Sequence, residues 1–165
     1  MELAIIRHAE RDRRARDDAG LSPVGWEQAR AAADRLHHEV WDALYTAPER
    51  CATDTAAVLA GRLGLVPRIE RRLTWCSADQ DAVGAIDGII AAHAGQRVVI
   101  VTHSPVINAF VGDILGVSGP VVAHPAHTGI TGVLAARTGQ RELTCLNDSS
   151  HLRLSQRAPV RRSPV

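Results

Sequence analysis

Apolar and polar positions fall in blocks along this chain. Leu3-Ala4-Ile5-Ile6 is a short apolar run that stops at Arg7-His8, and Arg97-Val-Val-Ile-Val-Thr102 is a longer one that stops at His103-Ser104-Pro105. Unbroken runs this short and rich in β-branched residues predict strands covered on both faces, as in a parallel sheet. Between them, Ala29, Ala32 or Ala33, Leu36 and Val40 recur at helical spacing. Ser22 suits the N-cap and Pro23 the first helical position, with an end near His38 or Glu39. Asp42 to Thr46 predicts a second strand broken by Ala47-Pro48, and a second helix opens at Glu49-Arg50 and closes at Gly64 after Leu63. Val66 to Ile69 is a short strand candidate, after which no period is legible up to about Asp81. Ala82 to His93 and Val106 to Leu115 predict two more helices, and Ile130 to Arg137 and Arg141 to Leu146 two strands joined around Thr138-Gly139-Gln140.

Strands alternating with helices predict an α/β fold: a single-domain three-layer α/β/α sandwich with a mostly parallel central sheet and right-handed crossovers. The domain is expected over residues 1–154. Residues 155–165 are basic and Pro-rich and are expected to be disordered. No internal repeat occurs.

Composition narrows the function classes. With 165 residues, 45% of them hydrophobic and 22% charged, one ordinary globular core is expected. Aromatics make up only 3%, so aliphatic residues must build that core. A formal net charge of +1 gives no general argument for nucleic acid or a membrane surface. Any anion site must therefore be a local cluster, although the charged run from Arg11 to Gly20, read as a solvated loop, could lend it a basic rim. Cys51, Cys76 and Cys145 are odd in number and widely spaced, which argues against a disulfide framework or a structural zinc site and fits a reducing, cytoplasmic location. No signal-peptide pattern and no bilayer-length apolar stretch is present.

Two strands that end in histidine place His8 and His103 at the carboxyl edge of a sheet, where open α/β folds bind ligands. A third strand end delivers Glu49-Arg50 at a helix N-terminus, which favours anions. Guanidinium groups bind phosphate oxygens in bidentate fashion, and a neutral imidazole can attack phosphorus. His124-Pro-Ala-His127 has ligand-like spacing but no carboxylate or thiol close in sequence, which speaks against a metal. Cys51, just after Arg50, reads as a small packing residue, and His37 and His38 as exposed helix residues.

Arg7-His8-Ala9-Glu10 resembles the Arg-His-Gly motif of the histidine phosphatase superfamily, which includes the cofactor-dependent phosphoglycerate mutases. Leu21-Ser22-Pro23-Val24-Gly25-Trp26-Glu27-Gln28-Ala29 is similar to that family's Leu-Thr-x-x-Gly-x-x-Gln-Ala. The segment from Tyr45 through Pro48, Arg50 and Thr55 to Ala56 is similar to its Ser-Ser-Pro-x-x-Arg-Ala-x-x-Thr-Ala. Val99 to Ser104 resembles the strand of its second histidine. His127-Thr-Gly-Ile-Thr131 and Leu146 to Leu152 resemble the closing strands of the mutase branch. The resemblance extends over residues 1 to about 152. It implies a phosphatase acting on a phosphomonoester or phosphoramidate, with His8 as nucleophile and Arg7, Arg50 and His103 as the phosphate pocket. Glu10, Ser22 and His127 complete the expected substrate-binding set. No metal or organic cofactor is implied, and the partner is a small phosphorylated substrate or a phosphoprotein. Two departures stand out: Ala9 replaces the usual Gly, and Trp75 stands where the mutase branch has its acidic Glu. Asp79 and Asp81, with Glu10 behind them, are then the candidate acids, or equally capping and exposed acids ahead of the next helix. The alternative is a member of this family that binds a phosphorylated ligand without turnover; mutase activity fits so short a chain less well.

Overall fold

In this computed structural model the described residues are 1–12, 14, 18–77, 79–117 and 123–153. The expected disordered tail, 155–165, lies outside them, as do parts of the loops at 11–20 and 117–128. The elements run β1 (Glu2–Arg7), α1 (Pro23–Leu36), β2 (Ala43–Thr46), α2 (Arg50–Leu63), β3 (Pro67–Ile69), a 3₁₀ turn (Arg71–Leu73), α3 (Asp79–Ala92), β4 (Arg97–Thr102), α4 (Ser104–Leu115), β5 (Ile130–Ala135) and β6 (Arg141–Asp148). All six strands join in one sheet of order β3-β2-β4-β1-β5-β6. β1 to β4 run parallel, β5 is antiparallel to β1, and β6 is antiparallel to β5. α1 packs on α2 and α3 on α4, which flanks the sheet with two helix pairs.

The two runs that stop at histidine lie side by side at the centre. Val98 to Val101 of β4 are fully buried, and Leu3 to Ile6 of β1 nearly so, as expected of strands covered on both faces. The remaining core is mostly aliphatic, around the fully buried Phe110 and the buried Trp41. No helix among the described residues is long and apolar enough to cross a membrane.

Helix signals translate closely. The Ser22 side chain accepts from Gly25 N–H at the start of α1, and Gly64 closes α2 at φ 69°. Two helix boundaries differ most. α1 ends at Leu36, one turn before Val40, where the Trp41 indole donates to the Leu36 carbonyl (3.0 Å). α3 begins at Asp79 rather than Ala82, because its first turn is exposed and acidic; carboxylates there favour the helix N-terminus but leave no apolar period to read.

Gly25 is required by contact rather than by φ. A Cβ there would overlap the backbone carbonyl of Glu10, whose own N–H is held by Gln28 Oε1 (2.9 Å). Gly25→Ala is therefore expected to destabilise the domain by about 1–3 kcal/mol or more. Gly61, in the last turn of α2, has open space around its would-be Cβ. Gly61→Ala should stabilise by up to about 1 kcal/mol. Denaturant midpoints of the two variants should move in opposite directions.

Candidate active site

The in-register pairing of Arg7 with Thr102 brings the ends of β1 and β4 to one sheet edge, and His8 N–H donates to the Thr102 carbonyl (2.8 Å). His8 and His103 follow these ends as neighbours, with ring centroids 4.9 Å apart. His127 completes a cluster of three imidazoles, its ring 5.7 Å from that of His8. All three are buried.

His8 is held from below. Its Nδ1 lies 2.8 Å from the Ala9 carbonyl. A carbonyl only accepts, so Nδ1 carries the proton and Nε2 is left with its lone pair. Ala9 is itself fixed: its N–H donates to Thr55 Oγ1 (3.0 Å), and the Thr55 hydroxyl donates to the Cys51 carbonyl (2.7 Å). Helix α2 thus holds the backbone that aims the imidazole. Burial pulls the His8 pKa down to about 3, and positive charge at His103, Arg7 and His127 adds to the effect.

His103 is oriented by a carboxylate. Its Nε2 lies 2.7 Å from Glu49 Oε2, and Glu49 also accepts from the Thr74 hydroxyl. Burial alone would raise the Glu49 pKa, but the hydrogen bonds from Thr74 and His103 outweigh it and hold the carboxyl below its ordinary value. Burial also lowers His103, against the pull of Glu49, with Arg7 and Arg11 acting in the same direction as burial.

Arg7 extends beside the cluster. Its Nη1 donates to the Pro125 carbonyl (2.7 Å), while its buried Nε has no hydrogen-bond partner among the described residues. The loop carrying His127 is anchored at Pro125, by Thr128 N–H donating to the Arg7 carbonyl (2.9 Å), and by Ala126 N–H donating to Asn147 Oδ1 (2.7 Å). Thr128 sits at φ 58°, a costly conformation for a β-branched residue, so the surrounding contacts must hold it there.

Other expected site residues lie elsewhere. The Arg50 side chain is 64% exposed, its Nε 3.7 Å from Asp54, so it turns toward solvent and not into the histidine cluster. The next residue, Cys51, faces inward instead: its Sγ and one ring nitrogen each of His8 and His103 lie within 4.8 Å of one another, the set among the described residues best suited to a metal ion. Burial, reinforced by the charge of Glu49, pushes the Cys51 thiol up to about 11, so it is protonated at neutral pH. Asp79 and Asp81 are exposed in the first turn of α3, as capping acids would be. Glu10 accepts from the Ser22 hydroxyl (2.8 Å), and Ser22 caps α1, which gives this pair a structural task in the β1–α1 connection. Trp75 is 62% exposed.

The sequence matches the profile of the histidine phosphatase superfamily (branch 1) over residues 3–80 and 74–149. The chain belongs to that superfamily. No curated protein matches it. Among solved structures it is similar to Bacillus stearothermophilus YhfR (21% identity, TM-score 0.80, covering 91% of this chain and 98% of that one). It is also similar to the protein histidine phosphatase SixA complexed with tungstate (18% identity, TM-score 0.75, 88% and 95% covered). A third is the phosphoserine phosphatase of Entamoeba histolytica in complex with phosphoserine (19% identity, TM-score 0.77, 92% and 98% covered). Such identities establish a shared fold.

Spacing within the superfamily motif explains why Arg50 misses the pocket. Counting from the proline of Ser-Ser-Pro-x-x-Arg-Ala-x-x-Thr-Ala, the arginine falls on position 51. There this chain has Cys51, while Ala52, Thr55 and Ala56 keep their places. One residue along a helix is a rotation of about 100°, enough to exchange pocket for solvent. Glu49 and Arg11 are the site residues that motif reading passed over. Arg11 was visible only as one charge in a solvated run, and Glu49 only as the opening of a helix.

The depressed His8 pKa makes a direct prediction. The unfolded chain binds this proton near pH 6.5 and the native chain only near 3. His8's contribution is therefore complete above 6.5, and stability falls as pH drops from about 6.5 toward 3, by at most about 1.4 kcal/mol per pH unit. The His8 ring resonances should not titrate between pH 5 and 8. A His8 midpoint above 6 would contradict this reading.

Proposed function

We propose that this protein is a phosphatase that transfers a phosphoryl group from a phosphomonoester or phosphoramidate to His8 and then to water. The observation that carries the reading is a buried, neutral imidazole whose Nε2 lone pair is freed by the Nδ1–Ala9 bond, beside the unpartnered Nε of Arg7. In the first step Nε2 attacks phosphorus, the bond to the leaving group breaks, and the leaving group departs with the electron pair. Arg7, together with His103 when its ring is protonated on both nitrogens, stabilises charge on the phosphoryl oxygens. In the second step water attacks phosphorus, the phosphorus–nitrogen bond breaks, and its electron pair returns to Nε2 as phosphate and a proton leave. No metal takes part in either step. The phosphatases that share this fold support the reading.

The leaving group narrows the substrate. Glu49, the carboxylate bonded to this cluster, is held ionised by Thr74 and His103 and so cannot donate a proton. Asp79 and Asp81 stand exposed on α3. General-acid help is worth about 10²- to 10⁴-fold, so substrates that need none are favoured: a phosphoramidate, or a phosphomonoester of an acidic alcohol. A phosphohistidine in a partner protein meets that requirement, as does a small phosphorylated molecule. The expected site of action is the cytoplasm.

Cys51 in the arginine's place favours a second reading, a superfamily member that binds a phosphorylated ligand without turnover. Phosphate release from phosphoramidate, p-nitrophenyl phosphate and a simple alkyl phosphate separates the two. Turnover of the first two at least about 100-fold faster than the third is the expected result. Saturable phosphate binding with no release from any of them would establish the second reading.

A further inference from the structure

The thiol of Cys51 has no task in the phosphoryl transfer, yet it faces the nucleophile from inside the same pocket. We infer that His8, Cys51 and His103 form a binding site for a divalent cation of the zinc class, and that its occupation is the inhibited state of the enzyme. The inhibitory half rests on the phosphatase reading above; the site itself does not.

Three features build the site. Cys51 Sγ and a nitrogen of each ring already lie within 4.8 Å of one another, and all three residues are buried. Two imidazoles with one thiolate are a donor set suited to Zn²⁺, and three protein ligands leave a fourth position for water. Both histidines also have the support that metal-bound histidines show, the second ring nitrogen committed to an oxygen acceptor. His8 Nδ1 is tied to the Ala9 carbonyl (2.8 Å) and His103 Nε2 to Glu49 (2.7 Å). The nitrogens left for a cation are Nε2 of His8 and Nδ1 of His103.

Charge is balanced as well. A doubly charged cation is matched by the Cys51 thiolate and the Glu49 carboxylate, whose charge acts on both Cys51 and His103. Arg7 and Arg11 oppose it, and they keep the open position attractive to an anion. On binding, the Cys51 S–H releases its proton to solvent and the sulfur lone pair forms the metal–sulfur bond. His8 Nε2 donates the same lone pair that would attack phosphorus. One electron pair cannot serve both, so metal and phosphoryl group exclude each other. An arginine at position 51 would offer no ligand, so the substitution that removes a phosphate-binding cation creates the metal site.

Co²⁺ titration of the intact protein, followed by absorption, tests this. One Co²⁺ per chain should bind, with a thiolate-to-metal charge-transfer band that Zn²⁺ bleaches. Cys51→Ser should remove the band and weaken affinity by more than about 100-fold, and Glu49→Gln should weaken it by about 10- to 100-fold. A Cys76→Ser/Cys145→Ser variant, which removes the two exposed thiols, should behave like the wild type. A band that survives Cys51→Ser, or vanishes with the exposed cysteines, overturns the inference, as does the absence of any band. If Cys51→Ser does not fold, ring resonances decide on the wild type: Zn²⁺ should shift both His8 and His103, and shifts confined to other histidines overturn the site. Stoichiometric Zn²⁺ should also block phosphorylation of His8, and a chelator should restore it. Co²⁺ binding as described in a protein that never accepts a phosphoryl group would leave the metal site standing and remove the phosphatase reading. Phosphorylation untouched by Zn²⁺ would do the reverse.

Discussion

His8→Ala should abolish phosphatase turnover, lowering kcat on p-nitrophenyl phosphate by about 10⁴-fold or more, as removal of a covalent nucleophile does elsewhere. The size of the effect follows from the site's arrangement: the His8 Nε2 lone pair is freed by a fixed hydrogen bond on Nδ1, and its charge is suppressed by burial. The variant should remain folded, and below pH 6.5 it should lose less stability on acidification than the wild type, because it no longer buries an imidazole that resists protonation. Activity within 100-fold of the wild type would assign the nucleophile to another residue.

Arg7→Met should lower kcat/KM by about 10²- to 10³-fold, the scale of losing one preorganised charged donor to a developing anion. With Arg50 turned to solvent, the load on Arg7 is heavier than in a pocket furnished with two arginines. Methionine preserves much of the side-chain volume and removes the charge. Because Arg7 Nη1 also holds the Pro125 carbonyl, the loop bearing His127 should loosen, and hydrogen exchange of the amides around Ala126 and Thr128 should rise. Arg7→Lys should recover only part of the loss, since an ammonium cannot form the planar two-point bond of a guanidinium. Steady-state kinetics of the two variants measure this; a loss below tenfold for Arg7→Met would place phosphate binding elsewhere.

Much of this architecture is legible in the pattern of apolar runs. The strands around Ile5 and Ile100 announce themselves because both their faces are buried, and their polar ends mark the sheet edge where His8 and His103 meet. What escapes is short or depends on tertiary contact. The 3₁₀ turn Arg71–Leu73 has one buried residue, too few for a period. The start of α3, Asp79-Gln80-Asp81, is all exposed and polar. Arg50 reads as a pocket residue when the motif's arginine is matched by residue type, whereas counting from Pro48 places position 51 there. The backbone resolves it in favour of Cys51. Glu49 acquires its task only when β2 and β4 pair and bring the start of α2 beside His103, a long-range contact with no local signature.

Intact-mass spectrometry after brief mixing with phosphoramidate at neutral pH tests the phosphohistidine most directly. The proposal predicts a single phosphoryl adduct on the wild type, labile in acid, and none on His8→Ala. An adduct that survives acid, or that persists in His8→Ala, would contradict it. So would no adduct in a wild-type protein that still binds inorganic phosphate; the pocket would then be one that recognises phosphate and leaves it intact.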